Sequence, residues 1–213
     1  MYARRLATCC LLYVSIMSGR SLTDTGKDVV VYLKPGDGLS AAALAETKAE
    51  LVSLMRGLDV RIGWWDPEKA QAAGASLIVA DFAGTCSAPS ERNAVVDVSA
   101  LPPLADTSVA DGRILPFAHV DCGTLSQFVG ALLADQPSAK REQMYGRAIG
   151  RLLAHEFYHI VAQTRDHASS GVAKERFSTT DLLEERFEFE PAAIAELQEP
   201  SASPSRERAP VGF

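Results

Sequence analysis

Leu152-Leu153-Ala154-His155-Glu156-Phe157-Tyr158-His159-Ile160 is the stretch on which the reading of this 213-residue chain turns. Around it, Met144, Ile149, Leu152, Leu153, Phe157 and Ile160 recur at helical rather than alternating spacing, so the segment forms an amphipathic helix. Pro137-Ser138 provides a start, and the pattern predicts a long helix from about Ala139 to Gln163. Gly146, Gly150 and Ala154 stand four apart. Such a small-residue stripe predicts close packing against a sheet or the preceding helix. His155 and His159 are also four apart, just over one turn, so both imidazoles leave the same face. Tyr158 lies away from that face and belongs to the core.

Upstream, the periodicity changes. Asp28 to Leu33, Val60 to Trp65 and Ser76 to Phe82 read as strands rich in Val, Ile and aromatic residues. The third is a nearly continuous apolar run, which suits a central position in the sheet. Ala94 to Ser99 and Arg113 to Asp121 are further strand candidates, separated by a Pro- and Asp-containing connection. Ser40 can cap a helix to about Arg56, stopped by Gly57. Thr124 to Ala134 forms a shorter helix, and Ser178 or Thr179 begins a last one to about Phe187. A strand–helix–strand start favours parallel neighbours. The expected fold is therefore α+β: a mixed, mostly parallel sheet of about five strands with a long helix carrying the histidine pair.

Composition narrows the function. Apolar residues make up 47% and charged residues 23%, enough for one full core. With 21 Lys+Arg against 27 Asp+Glu, the net charge is −6, so no basic excess exists to hold nucleic acid. The longest apolar run, Leu6 to Met17, is too short for a membrane span, which needs about 20 residues. It follows Arg4-Arg5 and precedes Ser18-Gly19-Arg20-Ser21, the layout of a secretory signal peptide over residues 1–21. A domain over 22–198 and a disordered Pro-, Ser-, Arg- and Glu-rich tail over 199–213 would follow. Export would leave Cys86 and Cys122, an even pair that predicts a disulfide.

Two imidazole nitrogens one helical turn apart can ligate one Zn2+ at about 2.0–2.1 Å each. Glu156 follows the first histidine, where its carboxylate can reach a water beside the metal without ligating it. A third ligand is needed, and His167, eight residues after His159, is the leading candidate once the chain turns back behind the helix. Its rivals are Glu184 and Glu185 in the acidic segment that follows. His119 lies in an apolar strand and reads as a core or sheet-face residue. Of Trp64 and Trp65, one ring belongs to the core and the other is half exposed.

The run His155 to Phe177 resembles the metzincin group of zinc metallopeptidases, whose pattern is H-E-x-x-H-x-x-G-x-x-H followed by a Met-turn. His155, Glu156 and His159 match position for position, and a third histidine follows after seven intervening residues instead of five. Ala162 replaces the group's glycine, and Ala173 stands where the Met-turn methionine would be, in Gly171-Val172-Ala173-Lys174. The longer span to the third histidine is similar to that of secreted bacterial zincin-like proteins. The resemblance implies a zinc-dependent peptidase acting on a peptide or protein, with Glu156 as general base and His155, His159 and His167 as zinc ligands. An edge strand, with Ala94 to Ser99 as the candidate, would align an extended peptide. The alternative is a zinc-binding scaffold of the same fold without turnover.

Overall fold

The computed structural model describes residues 26–68, 74–91 and 100–198. The candidate strand Ala94–Ser99, the expected signal peptide and the expected tail lie outside the described residues. Five strands, β1 (Lys27–Leu33), β2 (Val60–Trp64), β3 (Ser76–Ala83), β4 (Ala105–Ala110) and β5 (Arg113–Asp121), form one sheet in the order β2-β1-β3-β5-β4. The first four in that order are mutually parallel, and β4 runs antiparallel to β5 at the edge. The helices are α1 (Ala41–Gly57), α2 (Cys122–Leu133), α3 (Ser138–Ala162), α4 (Thr179–Leu183) and α5 (Pro191–Gln198). The α+β class, the mostly parallel sheet and the central place of β3 agree with the sequence reading.

One face of the sheet makes the core. Val29, Val31, Ile78, Ala80, Ala118 and Val120 alternate inward and join Leu51, Met55, Ile149, Leu152, Leu153 and Phe157 of α1 and α3 in a single buried cluster. The opposite face leaves Tyr32, Leu77 and Phe117 exposed. Tyr158 is buried, and Trp65 is exposed while Trp64 packs against the core. Ser40 caps α1 as expected, accepting from the Ala43 N–H at 3.0 Å.

The small-residue stripe packs on α1, neither on the sheet nor on the helix immediately before α3. A Cβ on Gly146 would stand 2.9 Å from the Ala43 C and Cα atoms, and closer still to its carbonyl oxygen. One on Gly150 would stand 2.9 Å from the Thr47 carbonyl oxygen. This approach lets the Thr47 hydroxyl donate to the Gly146 carbonyl at 3.0 Å.

Three differences from the sequence reading stand out. The connection before β5 contains a strand, β4, joined to β5 through Asp111 (φ 51°) and Gly112 (φ 74°). That is the two-residue, positive-φ turn that Asp-Gly favours. The helix begun by Ser178 ends at Leu183 because Glu184 is extended, with ψ 163°. A further helix, α5, begins at Pro191, the residue type suited to a first helical position. The Cys86–Cys122 disulfide is present, tying the loop after β3 to the start of α2.

Candidate metal centre

His155 and His159 project from the last turns of α3, and both are buried. Each ring is oriented from behind by a main-chain acceptor. His155 Nδ1 lies 2.8 Å from the Val172 carbonyl oxygen, and His159 Nδ1 lies 2.9 Å from that of Thr164. A carbonyl can only accept, so both Nδ1 atoms carry hydrogen, and the Nε2 atoms of rings that are neutral then present lone pairs. Those two Nε2 atoms face each other at 3.1 Å. Burial, together with the neighbouring histidines and against the pull of the Val172 carbonyl, pushes His155 down to about 4, so its ring is neutral near pH 7.

The third imidazole arrives by a loop. Gln163 ends α3 in the left-handed region, φ 53° and ψ 36°. That bend, which glycine makes most readily, is held here by the Gln163 amide donating to the Ile160 carbonyl at 2.8 Å. The chain then returns His167 toward the helix. Just beyond it, Ala168 and Lys174 form a parallel bridge, with the Ala168 N–H donating to the Ala173 carbonyl at 2.9 Å. One ring nitrogen from each of His155, His159 and His167 lies within 4.8 Å of the other two, a group that could hold a metal ion. His167 is exposed, unlike the other two. Glu184 and Glu185 are exposed and are not part of the group.

The donors fit a metal ion. Two neutral rings held this way would set their lone pairs against each other at 3.1 Å, an arrangement that repels. Two ligands of one tetrahedral ion at about 2.0–2.1 Å would sit about 3.3 Å apart. A shared cation turns that repulsion into ligation, and the carbonyls behind the rings are the usual partners of metal-binding imidazoles.

Glu156 is buried beside this group, and the Thr107 hydroxyl donates to its Oε2 at 2.6 Å. Burial, outweighing that hydrogen bond, pushes the Glu156 carboxyl up to about 7. Thr107 faces inward from β4, a strand the sequence reading had left as a connection. Asp106, Thr107, Val109, Arg165 and Glu175 line a cleft of about 350 Å³ with the three histidines. A pocket of about 380 Å³ adjoins it, sharing His155 and Glu156 and walled by Leu101, Leu104, Phe128, Leu152 and Phe177. Ala173 is fully buried.

His119 is a sheet-face residue, one of the two expected places. On the face away from Ala118 and Val120, its Nδ1 meets the Asp81 carboxylate and its Nε2 lies 3.1 Å from the Ser108 hydroxyl. The chain of three joins β3, β5 and β4 with its imidazole and carboxylate about two-fifths exposed, and it acts as a cross-strand tie.

No protein-family model matches the chain, and no curated protein matches it.

Proposed function

We propose that this chain is an exported, metzincin-like zinc peptidase that hydrolyses peptide bonds with Glu156 as general base. The observation that carries the reading is the pair of buried imidazoles whose Nε2 atoms face each other at 3.1 Å beside a buried carboxylate. His155, His159 and His167 would hold the zinc. When bound, zinc acidifies a water molecule and polarises a carbonyl. Glu156 takes the proton from the attacking water and delivers it to the leaving amine nitrogen. Because Thr107 occupies Oε2, Oε1 is the oxygen left for that transfer. Thr107 also fixes the carboxylate against the metal side of the cleft.

Among the described residues, β4 is a candidate for the aligning strand. It lies at the sheet edge and borders the cleft, so an extended peptide can add to it through main-chain hydrogen bonds. The apolar pocket beside Glu156 suits a large aliphatic or aromatic side chain next to the scissile bond. The disulfide supports an oxidising compartment and hence export.

The test is Glu156→Gln. Zinc stoichiometry, measured by metal analysis, should remain one per chain, while peptide cleavage falls by about 10²- to 10⁴-fold. Cleavage that requires zinc but ignores Glu156→Gln would overturn the mechanism. Bound zinc with no cleavage across a broad peptide library would favour the scaffold.

A further inference from the structure

The geometry points to Arg151 as the positioning residue of the metal centre, an inference that rests on the metal-binding reading above. Arg151 lies on α3 one turn before His155 and is fully buried. Burying a guanidinium carries a desolvation cost that only good pairing offsets, and its Nη2 finds no acceptor among the described residues. The guanidinium lies over the Phe187 ring, and its two hydrogen bonds go to different elements. Nε donates to Glu50 of α1 at 2.7 Å, and Nη1 donates to the Asp181 carbonyl of α4 at 2.6 Å.

The second contact leads to the ligands. The Asp181 carboxylate accepts from Lys174 Nζ at 2.6 Å and from the Ser178 N–H at 2.6 Å. Lys174 is the bridge partner of Ala168, the residue after His167. Two residues before Lys174, the Val172 carbonyl takes the His155 Nδ1 hydrogen. A continuous chain therefore runs from the α1–α3 interior through Asp181 and Lys174 to the segment that orients His155 and flanks His167. Glu50 anchors the cation; only the Asp181 side of the fork reaches the loop.

That asymmetry supplies the test. Zn2+ affinity would be measured on the full chain by competition with a chromophoric chelator, and coordination by the Co2+ absorption spectrum. Arg151→Lys keeps a cation opposite Glu50 but loses the fork. It should weaken Zn2+ binding about 10-fold or more, the range seen when supporting groups behind ligands are removed, and should lower the tetrahedral Co2+ bands. Lys174→Met, at a partly solvated side chain, should do the same. Glu50→Gln should lower stability yet leave affinity within about twofold. Wild-type affinity in Arg151→Lys would overturn the proposal, as would an equal loss in Glu50→Gln, which would signal general loosening. If Arg151→Lys does not fold, unchanged affinity in Lys174→Met overturns it. A wild-type chain that binds no zinc defeats the metal-binding reading itself, whereas zinc binding indifferent to these variants defeats only the role of Arg151.

Discussion

Gly146→Ala tests how α3 is seated. The new methyl carbon would lie 2.9 Å from the Ala43 C and Cα atoms and nearer still to its carbonyl oxygen. All three are main-chain atoms of α1, so no side chain can swing away, and α1 and α3 must separate by several tenths of an ångström or more. Overpacking of this kind costs about 1–3 kcal/mol and sometimes more. Separation would also stretch the Thr47 to Gly146 hydrogen bond, now 3.0 Å, a loss of about 1 kcal/mol. Against these stands the better helix propensity of alanine, about 1 kcal/mol. The net expectation is destabilisation of about 2 kcal/mol, a fall in melting temperature of about 4–8 °C for a chain of this size. Gly57, the last residue of α1, has nothing within 4 Å of the corresponding position, so Gly57→Ala should be neutral or slightly stabilising. Guanidinium and thermal unfolding of both variants, in chelator to remove metal linkage, would give the comparison. A Gly146→Ala chain as stable as Gly57→Ala would show that the helix contact is compliant and the packing reasoning wrong.

Other outcomes follow from the same structure. His155→Ala or His159→Ala should abolish stoichiometric zinc binding and His167→Ala should weaken it strongly, while Glu184→Ala and Glu185→Ala leave it unchanged; equilibrium dialysis with metal analysis decides. Non-reduced, unfolded protein should show no titratable thiol from Cys86 and Cys122. Replacing both by serine should cost at most about 4 kcal/mol, as expected for closing a loop with a sequence separation of 36. Burial, opposed by the Ser126 hydroxyl, pushes the Tyr145 phenol up to about 12. The fold thus favours the neutral phenol, and this contribution is complete below about pH 10 and disappears as pH rises toward 12. Relative to Tyr145→Phe, the wild type should lose about 3 kcal/mol over that interval; parallel denaturation curves for the two would contradict the assignment.

The parts of the molecule that were legible in the sequence are those whose signal is local. Continuous apolar runs marked β1 and β3, a 3.6-residue period marked α3, and four-residue spacing placed two imidazoles on one face. β4 was not legible because Ala105-Asp106-Thr107-Ser108-Val109-Ala110 carries few strand formers; as an edge strand it buries little, and its clearest mark is the Asp111-Gly112 turn after it. Thr107 was missed with it. The carbonyls of Val172 and Thr164 depend on a loop path that no periodicity encodes. Arg147 and Arg151 are both buried, which no periodic pattern marks for a charged residue type that is seldom inside unless paired. Their partners, Glu46 and Glu50, stand four apart on α1 and meet them across the helix pair, a pairing that only the packing of α1 on α3 brings about.

The three imidazoles differ in what holds them: two belong to a buried helix, and the third is itself exposed and stands on the loop that follows, next to the Ala168–Lys174 bridge. In a site built this way, affinity and lifetime have different origins. Opening α3 requires something close to global unfolding, whereas opening the loop around His167 needs only a local fluctuation. If the three imidazoles hold an ion, His167 is the ligand that would let go first, at a rate set by the loop, while His155 and His159 stay in place on the helix. Chelator-driven release should accordingly accelerate in variants that loosen residues 168–174 even where equilibrium stability of the whole chain is unchanged.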